Sequence, residues 1–180
     1  MASIIYSIGH GNKKIDSFID ELKKHDIEYL FDVRSSPMSK YNHQFNRPLL
    51  EEDLKLHLIT YIFAGEQLGG LPKDPTCYTN GKVDYSKITK KAFFQEAIKV
   101  LVEASEANMK IALMCSESNP SECHRSKLIG QELLKHNISI NHIVSNKIKE
   151  QKTVIDELTK GKGLDNLFGE EGLTSRKTYI

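Results

Sequence analysis

The 180-residue chain has no tryptophan, three cysteines, five prolines and almost no net charge, +1 from 25 Lys and Arg against 24 Asp and Glu. Each scarcity removes a class of protein. Cys77, Cys115 and Cys123 are odd in number and have no CxxC spacing, which excludes a disulfide framework and a zinc ribbon and fits a reducing compartment. The charge balance argues against a protein held to nucleic acid or membrane by its electrostatic field. No apolar stretch approaches the roughly 18 residues of a membrane span. Met1–Tyr6 carries no basic region ahead of an apolar run, so the expected location is cytoplasmic, with no membrane partner. What is present is ordinary. With 39% hydrophobic residues and 11 glycines, the composition is that of a globular domain, long enough to bury a core without disulfides.

Short apolar runs alternate with helix-period segments. Ile4–Ile8 reads as a strand closed by Gly9-His10-Gly11. Ile15, Phe18, Ile19 and Leu22 recur at i, i+3, i+4 and i+7, one face of a helix ending near His25-Asp26. Tyr29–Val33 is a second strand, Leu49–Leu58 a helix and Thr60–Ala64 a short edge strand. Residues 65–85, with Gly65, Gly69-Gly70, Pro72, Pro75 and Asn80-Gly81, read as one long loop. A helix burying Phe94, Ala97, Ile98, Leu101 and Val102 leads to Lys110–Cys115, apolar nearly throughout as a buried parallel strand is. Asn119, Pro120 and Glu122 fit the N-cap, N1 and N3 positions of a helix reaching about His136, with Asn137 as its left-handed cap. Ile138–Val144 is a fifth strand, and Lys147–Lys160 a surface helix burying Ile148, Ile155 and Leu158. The tail from Gly161 is expected to be loosely held. This alternation implies an α/β three-layer sandwich, a mainly parallel sheet of about five strands with helices on both faces. Residues 1–145 make the domain, and 146–180 a helix and flexible tail packed on it.

Ligands of open α/β sheets bind beyond the carboxyl ends of the strands, and this sequence collects ionisable side chains there. His10 follows the first strand. Asp32 and Arg34, two residues apart, face the same side at the end of the second. Cys115 and Glu117 end the fourth, and Cys123-His124-Arg125 open the helix after it. Arg125 near a helix N-terminus opposes the macrodipole, which points to an anionic partner. The plainer alternative for Asp32, Arg34 and Glu117 is structural ion pairing. Gly9 and Gly11 allow backbone N–H groups to approach a ligand closely. The candidate catalytic groups are therefore His10, Asp32, Glu117 and His124, and the candidate substrate-binding groups Gly9, Gly11, Arg34, Arg125, Cys115 and Cys123.

Rival chemistries fit less well. A Cys115 thiolate before a phosphate-cradling loop needs an arginine about six residues on, whereas Arg125 is ten away. Cys115, Cys123 and a histidine are zinc-ligand types without the usual spacing, so no metal is assigned. Gly9-His10-Gly11-Asn12-Lys13-Lys14 with Asp32 downstream imitates a dinucleotide motif, but Lys14 stands where the third glycine is needed, and no cofactor is assigned.

Several motifs carry a family resemblance. Ser7-Ile8-Gly9-His10-Gly11-Asn12, Asp32-Val33-Arg34 with Pro37 and Ser39, Leu68-Gly69-Gly70, and Leu113-Met114-Cys115-Ser116-Glu117 leading to Cys123-His124-Arg125 stand in a fixed order. Together they resemble the domain-of-unknown-function family 488, from about residue 4 to His142-Ile143. The resemblance implies a small cytoplasmic α/β protein in which these residues form the shared site, and it implies no substrate. The residues themselves read as an enzyme, a hydrolase or transferase, for a phosphorylated or nucleotide-like small molecule. The alternative is a non-catalytic module that binds an anion or nucleotide. A nucleic-acid-processing protein is a third reading, for which only the basic residues over 147–162 and 176–177 speak. The expected partner is a small anionic ligand, and the amphipathic last helix is compatible with a homodimer.

Overall fold

The computed structural model describes residues 4–160, 174–175 and 177–179. In chain order these form β1 (Ile4–Gly9), α1 (Ile15–Lys23), β2 (Tyr29–Asp32), α2 (Arg47–Leu56), β3 (Thr60–Phe63), α3 (Gly65–Leu68), β4 (Tyr78–Thr79) and β5 (Lys82–Val83). There follow α4 (Tyr85–Ile88), α5 (Ala92–Glu106), β6 (Ile111–Cys115), a π-helical turn (Arg125–Gly130) running into α6 (Gln131–Lys135), β7 (Ser139–Val144), β8 (Lys147–Glu150) and α7 (Gln151–Thr159). The main sheet has the order β3-β2-β6-β1-β7-β8, parallel at every pair except β7–β8.

The pleat of β6 explains the layers. Ile111, Leu113 and Cys115 point to one face, where Phe94, Ile98 and Leu101 of α5 and Leu133 of α6 pack on them. Ala112 and Met114 point to the other, against Phe18 and Leu22 of α1 and Leu50 and Leu54 of α2. Every side chain of β6 is buried, as a strand covered on both faces requires. The α/β sandwich expected from the sequence is therefore present.

Three local readings are corrected. The surface helix expected over Lys147–Lys160 begins only at Gln151; Lys147–Glu150 instead returns antiparallel along β7. The cause lies just before it, where Ser145 and Asn146 both adopt positive φ (49° and 63°) and make a two-residue hairpin turn. The sheet thus has six strands, with two lysines on its new edge. Val154 and Ile155 bury in α7, while Ile148 stays 39% exposed. The loop expected over 65–85 carries α3, a 3-10 turn (Pro75–Cys77) and the β4–β5 hairpin, which turns at Asn80-Gly81 with φ 49° and 75°. The capping signal at Asn119 is real, its side chain accepting from the Ser121 N–H at 3.2 Å, but it closes only the 3-10 turn Pro120–Glu122. Cys123 is then extended (φ −114°, ψ 147°), and helix resumes beyond it.

Residues 161–173, most of the tail expected to be loosely held, lie outside the described residues. The segment beyond them returns to the hairpin. Thr174 bridges Asp84, the Ser175 N–H donates to the Val83 carbonyl at 2.9 Å, and the Tyr179 N–H donates to the Gly81 carbonyl at 2.7 Å. No helix among the described residues is long and apolar enough to cross a membrane.

Candidate functional site

At the carboxyl ends of β1, β2 and β6 the pleat splits the expected cluster into two groups. Asp32 and Arg34 share a side, as their spacing predicts, and are joined in a buried ion pair. Asp32 Oδ1 accepts from the Arg34 backbone N–H (3.1 Å) and Nε (2.9 Å), and Oδ2 accepts from Nη2 (2.6 Å) and the Tyr61 hydroxyl (2.7 Å). Arg34 Nη2 also donates to the Phe45 carbonyl at 2.8 Å. The His10 ring stacks on Phe45, with centroids 4.4 Å apart. Its Nδ1 lies 2.8 Å from the Gly11 carbonyl, which can only accept, so the proton sits on Nδ1 and Nε2 faces Arg34 Nη1 at 3.3 Å. Burial pushes the His10 imidazole down to about 4, which keeps that nitrogen an acceptor. Burial and the Asp32 carboxylate push the Tyr61 phenol upward. Asp32 and His10 together fix the guanidinium, and Arg34 alone of the three lines the adjoining cavity.

The second group lies on the α5–α6 side. The Cys115 thiol donates to Glu117 Oε2 at 2.8 Å. His124 Nε2 gives its proton to the Val33 carbonyl at 3.0 Å, which turns Nδ1 towards Cys115 Sγ (3.8 Å) and Cys123 Sγ (3.7 Å). A hydrogen bond with the free Cys123 thiol and burial push the Cys115 thiol well up. Burial pushes the Glu117 carboxyl up, but the Cys115 thiol, its own backbone N–H and His124 outweigh that and hold it below the ordinary range. Burial works against a charged His124, yet the Cys115 sulfur, Glu117 and the Val33 carbonyl carry it upward. A cavity of about 260 Å³ opens here, lined by Arg34, Cys115, Glu117 and His124 and, from the C-terminal segment, by Ser175, Lys177 and Tyr179.

The remaining candidates hold this site together. The N–H groups of His10 and Gly11 are already taken by the Cys115 and Ser116 carbonyls, both at 3.0 Å, and so offer nothing to an anion. A Cβ on Gly9 would run into the Glu117 carbonyl, and one on Gly11, at φ 50°, into the Ser118 side chain. The two glycines are the surface on which the loop carrying Glu117 rests. Replacing Gly9 by Ala should cost about 1–3 kcal/mol, since the obstacle is backbone rather than a movable side chain. Urea unfolding checks this, and a variant as stable as wild type would show that the loop yields freely. Arg125 is fully buried and donates Nη1 to the Glu117 carbonyl (2.7 Å) and Nη2 to the Ser118 carbonyl (3.3 Å). It stands behind the cavity wall and braces the same loop.

Sequence reasoning did not single out Tyr61, Tyr179 or the exact place of Gly70, and counted Lys177 only among scattered basic residues. A Cβ on Gly70 would stand 2.9 Å from His124 Nδ1, so the Gly69-Gly70 pair marks a close approach to that ring. A family model described as Domain of unknown function DUF488 matches residues 14–131, about two-thirds of the chain. The chain belongs to the DUF488 family. Asp32, Arg34, Cys115, Glu117, Cys123, His124 and Arg125 fall inside the DUF488 match, whereas Gly9, His10 and Gly11 precede it. The match is shorter at both ends than the stretch over which the motifs resemble the family. Comparison with curated proteins and with solved structures returned no match.

Proposed function

We propose that this DUF488 chain is a cytoplasmic enzyme, a hydrolase or group transferase for a small phosphorylated or nucleotide-like molecule. Arg34 holds the anionic group and Glu117 is the general base. The observation that carries this reading is the meeting of Arg34 after β2 with Glu117 and His124 after β6 on one cavity of about 260 Å³ at the strand ends. Asp32, His10 and the Phe45 carbonyl take four of the five N–H donors of Arg34 and hold it rigidly, which leaves one Nη1 N–H and the positive charge to meet an anion. Lys177 adds a second cation to the cavity's lining. Glu117, held below the ordinary carboxyl range, is ionised at neutral pH, as a group that is to accept a proton must be. Three free cysteines fit a reducing compartment.

The test is a turnover screen of the full chain against nucleotides and sugar phosphates. For a substrate found this way, Glu117→Gln should lower kcat by about 10²–10⁴-fold while leaving its Kd within a few-fold. A ligand that binds tightly and is recovered unchanged after long incubation with the wild-type chain would overturn the enzyme in favour of a binding module.

A further inference from the structure

We infer that Cys115, Cys123 and His124 are the protein ligands of a zinc-class divalent cation whose fourth position opens into the cavity. Their donor atoms, two Sγ and one Nδ1, all lie within 4.8 Å of one another. The two nitrogen–sulfur separations are those of a coordination shell. Nδ1 is 3.8 Å from one sulfur and 3.7 Å from the other, and on a tetrahedral zinc with bonds of about 2.3 Å to sulfur and about 2.0 Å to nitrogen, such ligands stand about 3.6 Å apart. The imidazole is already oriented for the purpose. Its Nε2–H is anchored on the Val33 carbonyl, the outer partner that ligating histidines use to fix tautomer and ring angle. The surroundings are dry, with Cys115 3% and Cys123 1% exposed, and two thiolates with an imidazole make a soft donor set that prefers zinc to magnesium or calcium.

The chain also leaves room for the ion. At Gly70 a side chain would press on Nδ1 at 2.9 Å, and glycine keeps that space clear. The extended residue Cys123, inserted between a 3-10 turn and the helix, is what brings two sequence neighbours to the strand-end cysteine. This is why linear ligand spacing did not reveal the site. Cys115 and His124 face the cavity and Glu117 lies beside them. Three protein ligands with one open position is the catalytic form of a zinc site, in which the metal lowers the pKa of a bound water. Loading replaces the two thiol protons with one cation and releases both protons to solvent. Glu117 would then accept the proton of the metal-bound water as the water oxygen bonds to the substrate's phosphorus and the P–O bond to the leaving group breaks, and would hand that proton on to the departing oxygen. This use of the ion rests on the reading of Glu117 given above; the binding of the ion does not.

The deciding experiment is titration of the reduced, metal-free full-length chain with Co²⁺, followed by displacement with Zn²⁺. Saturation at one equivalent is expected, with the near-ultraviolet charge-transfer intensity of two thiolates, the visible bands of a tetrahedral site and release of two protons. Cys123→Ser should weaken binding at least about 100-fold, and Gly70→Ala by about 10–100-fold. Cys77→Ala, which removes the cysteine outside the cluster, should leave binding unchanged. A wild-type chain without a thiolate charge-transfer band overturns the site whether or not any variant folds. The two readings separate in the turnover assay. Turnover only by the loaded chain supports the catalytic use of the ion, and equal turnover by the metal-free chain overturns it while leaving the enzyme reading intact. A two-thiolate cobalt site in a chain that turns over nothing keeps the metal and overturns the enzyme.

Discussion

Replacing Asp32 by Asn should lower the free energy of unfolding by about 3–5 kcal/mol, the range for breaking a buried ion pair from one side. The Asp32 carboxylate is fully buried and accepts from the Arg34 backbone N–H, Nε and Nη2 and from the Tyr61 hydroxyl. Asparagine has the same shape, but it removes the charge and puts an NH2 group, which can only donate, where one carboxylate oxygen accepts. What it leaves behind sets the cost. The Arg34 guanidinium, 4% exposed, would keep the Phe45 carbonyl, the neutral His10 nitrogen and one uncharged amide oxygen, with no anion to balance its charge. At about 2–4 °C per kcal/mol for a domain of this size, the melting temperature should fall by about 10 °C. Adding Arg34→Met removes the stranded charge, so the double variant should be more stable than the sum of the two single effects by about 0.5–3 kcal/mol. An Asp32→Asn variant within about 1 kcal/mol of wild type would mean that the pair behaves like a solvated surface bridge.

The same pair shows what a sequence can carry. An i, i+2 spacing at a strand end fixes a shared side, and the five apolar residues of β6 fix a strand buried on both faces; both are properties of the local chain. Local information marks Arg125 too, as a cation misplaced at a helix start. Its actual partners, the Glu117 and Ser118 carbonyls, are backbone groups of a loop whose course no side-chain pattern records. Asn119 shows a different limit. The capping pattern is the same whether it opens a long helix or a single 3-10 turn, and only the extended Cys123 decides between them. Ile148 and Ile155 satisfy a helical period over 147–160, while the hairpin turn at Ser145-Asn146 carries no glycine to announce it. The approach of Cys115, Cys123 and His124 depends on all of these at once, so their chain spacing argued against a cluster that the fold assembles.

The chain should lose stability as pH falls from about 6.5 towards 4, and two buried histidines set the slope. Burial pushes both His10 and His142 down to about 4. His142 is wholly enclosed, giving Nε2–H to the Gln151 side-chain carbonyl at 2.7 Å and meeting the Ser7 hydroxyl through Nδ1 at 2.6 Å. In the unfolded chain both imidazoles titrate near 6.5. Between 6.5 and 4 the unfolded state therefore binds protons that the native state refuses, and each proton taken up favours unfolding. Above 6.5 neither state is protonated and the full stability is present; below 4 both are, and the loss levels off. At pH 5 each histidine should cost about 2 kcal/mol. His124, shifted upward, works in the opposite direction and offsets part of that sum. Calorimetry at pH 7.5 and pH 5 should show the melting temperature at least about 5 °C lower in acid. His142→Gln, which can keep a hydrogen bond to Ser7 or Gln151 but cannot take a proton, should recover about 2 kcal/mol of the difference between the two pH values. A melting temperature that does not move between pH 7.5 and 5 would mean that the interior admits the charged imidazoles after all. In that case His10 could not be the neutral acceptor that steadies Arg34, and the guanidinium would depend on Asp32 alone.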